Sequence, residues 1–332
     1  MVRKLREEKP KKKGQFFTIL LFIFNVFLWG SAIYLWRQAV DLPPSVREDF
    51  ATGVEVYVPT MMQSTFQTGA ALTAEDVDVS LYSDHALLIN LDTGEILFDH
   101  RGHERAYPAS VTKIMTVLLG IEHASGDEVI INADFDALHQ AQSAMAGFTY
   151  GETRTLSEVL HGALLSSGGD ATSSLAHHIS GSYEGFVELM NETARRLGMH
   201  DTHFMNTTGL HHEQHYTTAY DIALLLEYAL THSQFREIFT AEFYPFINSA
   251  GVEQVMESIL FRQLPTTEFE GGKILGGMTG FTTPAGLCLA SLATNGTHEF
   301  ALITFGAPTT EAVPAHVQDA LALYEYFLSL DE

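Results

Sequence analysis

The sequence predicts an α+β fold whose antiparallel sheet takes strands from both ends of the chain, with helices on its faces. Two observations predict it. Strand patterns occur near residues 85–98 and again across 273–305, whereas the stretch between them repeats apolar residues every three or four positions, as helices do. A closing helical pattern follows the last strand, which suits one mixed domain with a shared core.

Taken in order, His85–Leu91 and Glu95–Phe98 flank Asp92-Thr93-Gly94, a three-residue hairpin signal. Over Ser110–His123 the apolar residues Val111, Ile114, Met115, Leu118, Leu119 and Ile121 keep a helical period. Further helices are expected at Leu156–Leu165, Ala171–Ile179, Tyr183–Leu197 and Thr218–Thr231, with Gly181-Ser182 and Gly198 as breaks. Strands are expected at Lys273–Gly280, Leu287–Ala293 and Phe300–Phe305, and a last helix at about Ala315–Leu330. There is no internal repeat and no low-complexity tract.

At 332 residues, 46% of them hydrophobic and 18% charged, the chain is globular rather than disordered. Residues 1–13 hold seven of the 18 Lys and Arg against Glu7 and Glu8, a balance of +5; the remainder has 11 basic against 39 acidic residues, or −28. A nucleic-acid binder needs a basic stripe on its folded part, and this folded part is acidic, so no nucleic-acid partner is expected.

Residues 16–36 contain no charge, and at about 1.5 Å per helical residue they reach roughly 31 Å, the depth of a hydrocarbon core. Trp29, Trp36 and the following Arg37 suit an interfacial boundary. The basic segment before this run places it in the cytoplasm and the rest of the chain outside. Gly30-Ser31-Ala32 would also suit cleavage of a signal peptide, but the uninterrupted length favours a retained anchor. The expected organisation is a cytoplasmic basic tail (1–13), a transmembrane anchor or uncleaved signal (14–37), a stalk with Pro43-Pro44 (38–78) and a folded domain (79–332). The single cysteine, Cys288, rules out an intramolecular disulfide, and its apolar run suits a buried strand thiol.

Three short patterns carry candidate chemistry. Ser110 and Lys113 stand three apart at a helix start, on one face, so the amine can reach the hydroxyl. A serine needs a base to become a nucleophile, and a lysine serves as one when burial lowers its pKa. Taken alone, the pair reads as a capping serine and a surface lysine. Beyond residue 13, however, only Lys113 and Lys273 exist, and Lys113 lies among Val111, Ile114 and Met115. Ser166-Ser167-Gly168-Gly169-Asp170 is either a turn between helices with Asp170 as its cap, or a loop that delivers the Ser167 hydroxyl as a proton relay. Gly276 to Thr282 is either a plain strand or an edge that pairs with an extended peptide, its glycines allowing close backbone approach.

In order and spacing these patterns resemble the Ser-x-x-Lys, Ser-x-Asn and Lys-Thr-Gly elements of penicillin-binding proteins and serine β-lactamases. The stretches YPASVTKIMTVLLGIE, LLSSGGDATSSLAHHISGS, NTTGLHHEQHYTTAYDIALLLEYAL and GGKILGGMTGFTTPAGLCLAS are similar to the low-molecular-mass serine D-alanyl-D-alanine carboxypeptidases, over about residues 80–330. The resemblance implies a β-lactamase/DD-peptidase-like fold without the family's β-rich C-terminal domain. It implies Ser110 as acylated nucleophile, Lys113 as base, Ser167 as proton relay, and the N–H groups of Ser110 and Phe281 as oxyanion hole. Met278, Thr279, Gly280, Phe281 and Gly169 would contact the substrate, a peptidoglycan stem peptide that loses its terminal D-alanine through an acyl-enzyme. β-Lactams would be covalent inhibitors, and no metal or organic cofactor is required.

Two positions depart from the pattern. Gly169 stands where the second motif has Asn, and Met278 where the third has Lys. A thioether cannot pair with a carboxylate or share a proton. Lys273, five residues or about 16 Å away along a regular strand, is expected on the opposite face and out of reach. Losing a charge-assisted bond of about 1.5–3 kcal/mol slows turnover roughly ten- to a hundredfold. The competing reading is therefore a homologue that binds peptidoglycan or penicillin but turns over poorly; a β-lactamase lacks its separate deacylating glutamate here. The run His211-His212-Glu213-Gln214-His215 has Tyr216 where a zinc-protease motif needs histidine, and is expected to be a solvated loop beside the cleft.

Overall fold

The computed structural model describes residues 66–67, 71–309 and 312–329. The basic tail and the apolar run at 16–36 lie outside the described residues, and no described helix is long and apolar enough to cross a membrane.

Strands β1 (His85–Asn90) and β2 (Ile96–His100) form the hairpin read from Asp92-Thr93-Gly94, with Gly94 at a φ of +73° where a side chain would be strained. A 3₁₀ turn, Ala109–Thr112, leads into helix α1 (Lys113–His123). Then come β3 (Glu128–Ile130), α2 (Phe135–Gln140), β4 (Thr153–Thr155), α3 (Leu156–Leu164), α4 (Gly169–Ser180) and α5 (Tyr183–Arg196). Helices α6 (Ala219–Leu230) and α7 (Ser233–Phe239) precede a surface hairpin, β5 (Phe243–Ile247) and β6 (Glu253–Glu257). Helix α8 (Ile259–Gln263) and β7 (Glu268–Phe269) lead to three long strands, β8 (Gly272–Thr282), β9 (Gly286–Thr294) and β10 (Glu299–Ala307), and to the last helix, α9 (Ala315–Leu328).

The six-stranded sheet runs β2-β1-β10-β9-β8-β7, and its neighbouring pairs are all antiparallel. β1 lies against β10 from His85 opposite Phe305 to Asn90 opposite Phe300, which joins the two ends of the domain as the patterning predicts. Alternate residues of one strand serve different cores. Leu87, Ile89, Ala301, Ile303 and Phe305 face the block of helices, while Ala86, Leu88, Phe300 and Leu302 face α9. Both faces of these strands are therefore buried, which is why they read as continuous apolar runs.

Local signals set the helix ends. Thr155 and Glu158 make a reciprocal capping box at the start of α3, and Ser182 caps α5 through the Gly185 N–H. Gly181, at a φ of +67°, ends α4. Packing against the sheet begins earlier than residue 79, where the sequence pattern put the domain start. Gln67 and Leu72 form parallel bridges with Glu95 and Phe98, and Phe66 and Val77 are buried.

Candidate active site

Ser110 stands on the 3₁₀ turn rather than inside α1, and this turn improves the alignment the sequence predicts. With three residues per turn, positions 110 and 113 lie one above the other. Lys113 Nζ donates to Ser110 Oγ at 2.9 Å, and the Ser167 hydroxyl donates to the same oxygen at 2.9 Å. The Lys113 amine also donates to the Thr208 carbonyl at 2.5 Å. Lys113 is only 2% exposed. Burial pulls its pKa down to about 7, against the opposing pull of the Asp170 carboxylate. A near-neutral lysine in contact with a serine oxygen can take its proton.

Ala109, at φ +45°, and Ser167, at φ +53°, hold left-handed backbone despite their side chains. Such conformations cost of order 1–3 kcal/mol each and persist where the surroundings fix them. Gly209 is part of that fixing. Its φ is +81°, and a Cβ on it would overlap the Ala109 carbonyl. Asn206 Oδ1 folds this loop, accepting N–H bonds from Thr208 at 3.2 Å and Gly209 at 2.7 Å. Gly209→Ala is expected to lose about 2–4 kcal/mol of stability and to slow acylation of Ser110 at least tenfold; urea unfolding and the rate of penicillin labelling check both.

Asp170 does not cap α4. Gly168 occupies the cap position without a side-chain bond, and the Asp170 carboxylate instead accepts the N–H groups of Ala146, Gly147 and Phe148 at 2.8–3.1 Å. It thus pins the loop after α2 against the cleft. That loop also explains Gly169. A Cβ there would overlap the Ser143 hydroxyl and approach Leu138 Cδ2 to 2.9 Å, so the volume of the motif's asparagine is filled from another segment.

The third strand divides the remaining expected contacts. Thr279, Gly280 and Phe281 line a cleft of about 200 Å³ together with Ser110, Lys113 and Ser167. Gly280 approaches the main chain of the Ser110 turn so closely that a Cβ would lie 2.7 Å from the Ser110 nitrogen. Phe281, 52% exposed, stands at the rim. Met278 and Gly169, expected to contact substrate, are not among the lining residues; Met278 is 1% exposed and packs in the core on the helical side of the sheet. Nor does the strand keep the regular alternation that would put Lys273 on the face opposite Met278. A bulge between Ile274 and Gly276 shifts the register, so Ile274 faces α9 while Met278, four residues on, faces the helices. Lys273 stays out of the cleft because it lies opposite Thr294 at the far end of the strand, exposed. Cys288 is buried in β9 as expected, and burial pushes its thiol up to about 12.

The histidine run forms a loop at the cleft's edge, with Leu210 in the lining, and 211–214 are exposed as expected. His215 differs. It is buried, its Nδ1 accepts the Met205 N–H at 3.2 Å, and its Nε2 therefore donates to Thr112 Oγ1 at 2.8 Å. Burial lowers its pKa to about 3. A neutral His215 thus props the turn that carries Ser110 from behind. Among the described residues no three His, Cys, Asp or Glu gather as a metal site. The sequence reading missed Thr208, Gly209, Gln142, Ser143, Gln263 and His316; of these only the 206–209 turn had a local signal, Asn followed three residues later by Gly.

A family model described as D-alanyl-D-alanine carboxypeptidase matches residues 70–309. The D-alanyl-D-alanine carboxypeptidase DacF of Bacillus subtilis is 33% identical over 242 residues, covering 71% of this chain and 60% of that protein. The D-alanyl-D-alanine carboxypeptidase DacD of Escherichia coli is 27% identical over 266 residues, covering 74% and 65%. The chain therefore spans less than two thirds of the length of these relatives. Among solved structures, a D-alanyl-D-alanine carboxypeptidase from Mycobacterium tuberculosis is 25% identical and covers 78% of this chain and 94% of its own, with a TM-score of 0.67. The Streptomyces K15 DD-transpeptidase, 24% identical, shares the fold with a TM-score of 0.67 and covers 75% and 98%. Since the matched region takes in the sheet and the three motifs around Ser110, the chain belongs to the D-alanyl-D-alanine carboxypeptidase family of serine peptidases.

Proposed function

We propose that this protein is a serine D-alanyl-D-alanine carboxypeptidase that removes the terminal D-alanine of peptidoglycan stem peptides, and that residues 16–36 tether it with its catalytic domain outside the cytoplasm. The observation that carries the reading is the chain of contacts from the Lys113 amine through the Ser110 oxygen to the Ser167 hydroxyl, at 2.9 Å each. In this mechanism neutral Lys113 takes the Ser110 proton as Oγ attacks the scissile carbonyl. The N–H groups of Ser110 and Phe281 receive the developing oxyanion, worth about 3 kcal/mol per donor in comparable sites. Ser167 passes a proton to the departing amine, and water then splits the ester. β8 offers its main chain from Thr279 to Thr282 to an extended peptide, which can orient it without a side-chain amide at Gly169.

The assembled nucleophile, base and relay favour this over a homologue that only binds. The test is a fluorescent penicillin followed by a pentapeptide assay. A covalent adduct at Ser110 together with released D-alanine is the expected result. An adduct without release would reduce the protein to a penicillin-binding homologue, and no adduct would remove the acyl-transfer reading. Localisation is tested separately: protease added to intact cells should degrade the domain but leave residues 1–13 protected.

A further inference from the structure

Two residues of the cleft lining have no part in the acyl transfer described above. Gln263, the last residue of α8, and His316, the second residue of α9, meet there with 3.1 Å between Gln263 Oε1 and His316 Nε2. Both belong to the cleft lining. His316 is fully buried and its Nδ1 has no hydrogen-bond partner. Burial lowers its pKa to about 4, so at neutral pH the ring is uncharged and carries one hydrogen. A buried N–H without an acceptor is rarer than an unused acceptor, which puts that hydrogen on Nε2, facing the Gln263 oxygen. The amide is thereby turned: its oxygen is held by His316 and its NH₂ is left for the cleft.

Beyond Lys113 the described cleft lining has no fixed positive charge. Among the described lining residues the basic side chains are Lys113, already bonded to Ser110 and Thr208, and neutral His316. Met278 is buried in the core. A cation separates a carboxylate from an amide by charge, whereas an amide N–H meets an acceptor oxygen in either. The net charge of −23 adds a field that disfavours an anionic end.

We propose that Gln263, oriented by His316, receives the leaving end of the substrate through a neutral donor, so that the protein cleaves peptides ending in an amide or a further peptide bond about as readily as those ending in a free carboxylate. The inference rests on the acyl-transfer reading above and names its substrate class. In both cases the Ser110 oxygen bonds to the carbonyl carbon and the C–N bond breaks. The departing amine takes a proton and leaves as D-alanine or as its amide or peptide, and water hydrolyses the ester.

The experiment compares diacetyl-L-lysyl-D-alanyl-D-alanine with its C-terminal amide on the full-length protein. The acid-to-amide ratio of kcat/KM is expected to stay within about tenfold, and Gln263→Lys to raise it at least tenfold. Gln263→Leu and His316→Leu are expected to raise KM for both peptides with little change in kcat, while His316→Asn, which keeps a donor, restores most of the loss. Penicillin labelling of each variant shows that the fold and Ser110 are intact. A wild-type preference for the acid beyond about a hundredfold, or a ratio that Gln263→Lys leaves unchanged, overturns the proposal. If neither peptide is hydrolysed, the carboxypeptidase reading fails, and competition with penicillin for Ser110 decides the inference. Equal protection by the two peptides supports it; protection by the acid alone, or by neither, overturns it.

Discussion

The Ser110→Ala variant is expected to lose penicillin labelling and to release D-alanine at least about 10⁴-fold more slowly than the unaltered protein. The size follows from what the hydroxyl does. In the proposed mechanism it forms the acyl bond, and its oxygen accepts hydrogen bonds from both Lys113 and Ser167. Without it the base has nothing to deprotonate and the relay has no partner, so the three groups fail together rather than in proportion. The fold should survive, because Lys113 keeps the Thr208 carbonyl and Ala109 and Val111 stay buried around the turn. Circular dichroism and thermal unfolding of the variant check this. Release that remained above about one per cent of the original would assign the nucleophile elsewhere.

The second large effect lies in the pH profile. Lys113 acts as a base only when neutral, and its pKa stands at about 7, so kcat/KM should rise as pH increases through 7 and flatten above it. Lys113→Arg, which stays charged at any working pH, should lower kcat/KM by about 10²- to 10⁴-fold and abolish that rise. A rise unchanged in the variant would mean that another group titrates. The same burial affects stability with a definite sign. The unfolded lysine binds its proton up to about 10.5 and the folded one only to about 7. The unfolded state therefore holds more protons between these values, and the contribution of Lys113 to stability grows as pH rises through that window.

Most of the fold was legible because the elements that build it are buried on both faces or regularly amphipathic. The strands around Leu87 and Leu302 read as apolar runs, and the helices ended where Gly181 and Ser182 stood. The two-stranded sheets β3–β4 and β5–β6 were missed for opposite reasons. Three-residue strands such as Glu128–Ile130 are too short to show a period, and Phe243–Ile247 leaves Phe243 and Ile247 exposed. In the site, residues close in sequence were recoverable, since the spacing of Ser110 and Lys113 already fixes a shared face. Gln263 and His316 were not, because 53 residues separate them and only the tertiary fold brings their side chains together. Met278 shows the limit of motif reasoning. The third-motif pattern placed it at the substrate, but the bulge after Ile274 and the surrounding core decide that it meets apolar neighbours instead.

The sheet order also bears on how the protein is made. β1 must slot between β2 and β10, so the first hairpin waits for a partner synthesised some two hundred residues later. Until β10 emerges, the Leu87–Ile89 ridge has an open edge and no stable layer to rest on, and pairings this distant form slowly. The reactive pocket, lined in part by the last long strands, therefore cannot exist on a nascent chain. A truncation just before β10 should leave a chaperone-dependent, aggregation-prone fragment and not a weakened enzyme.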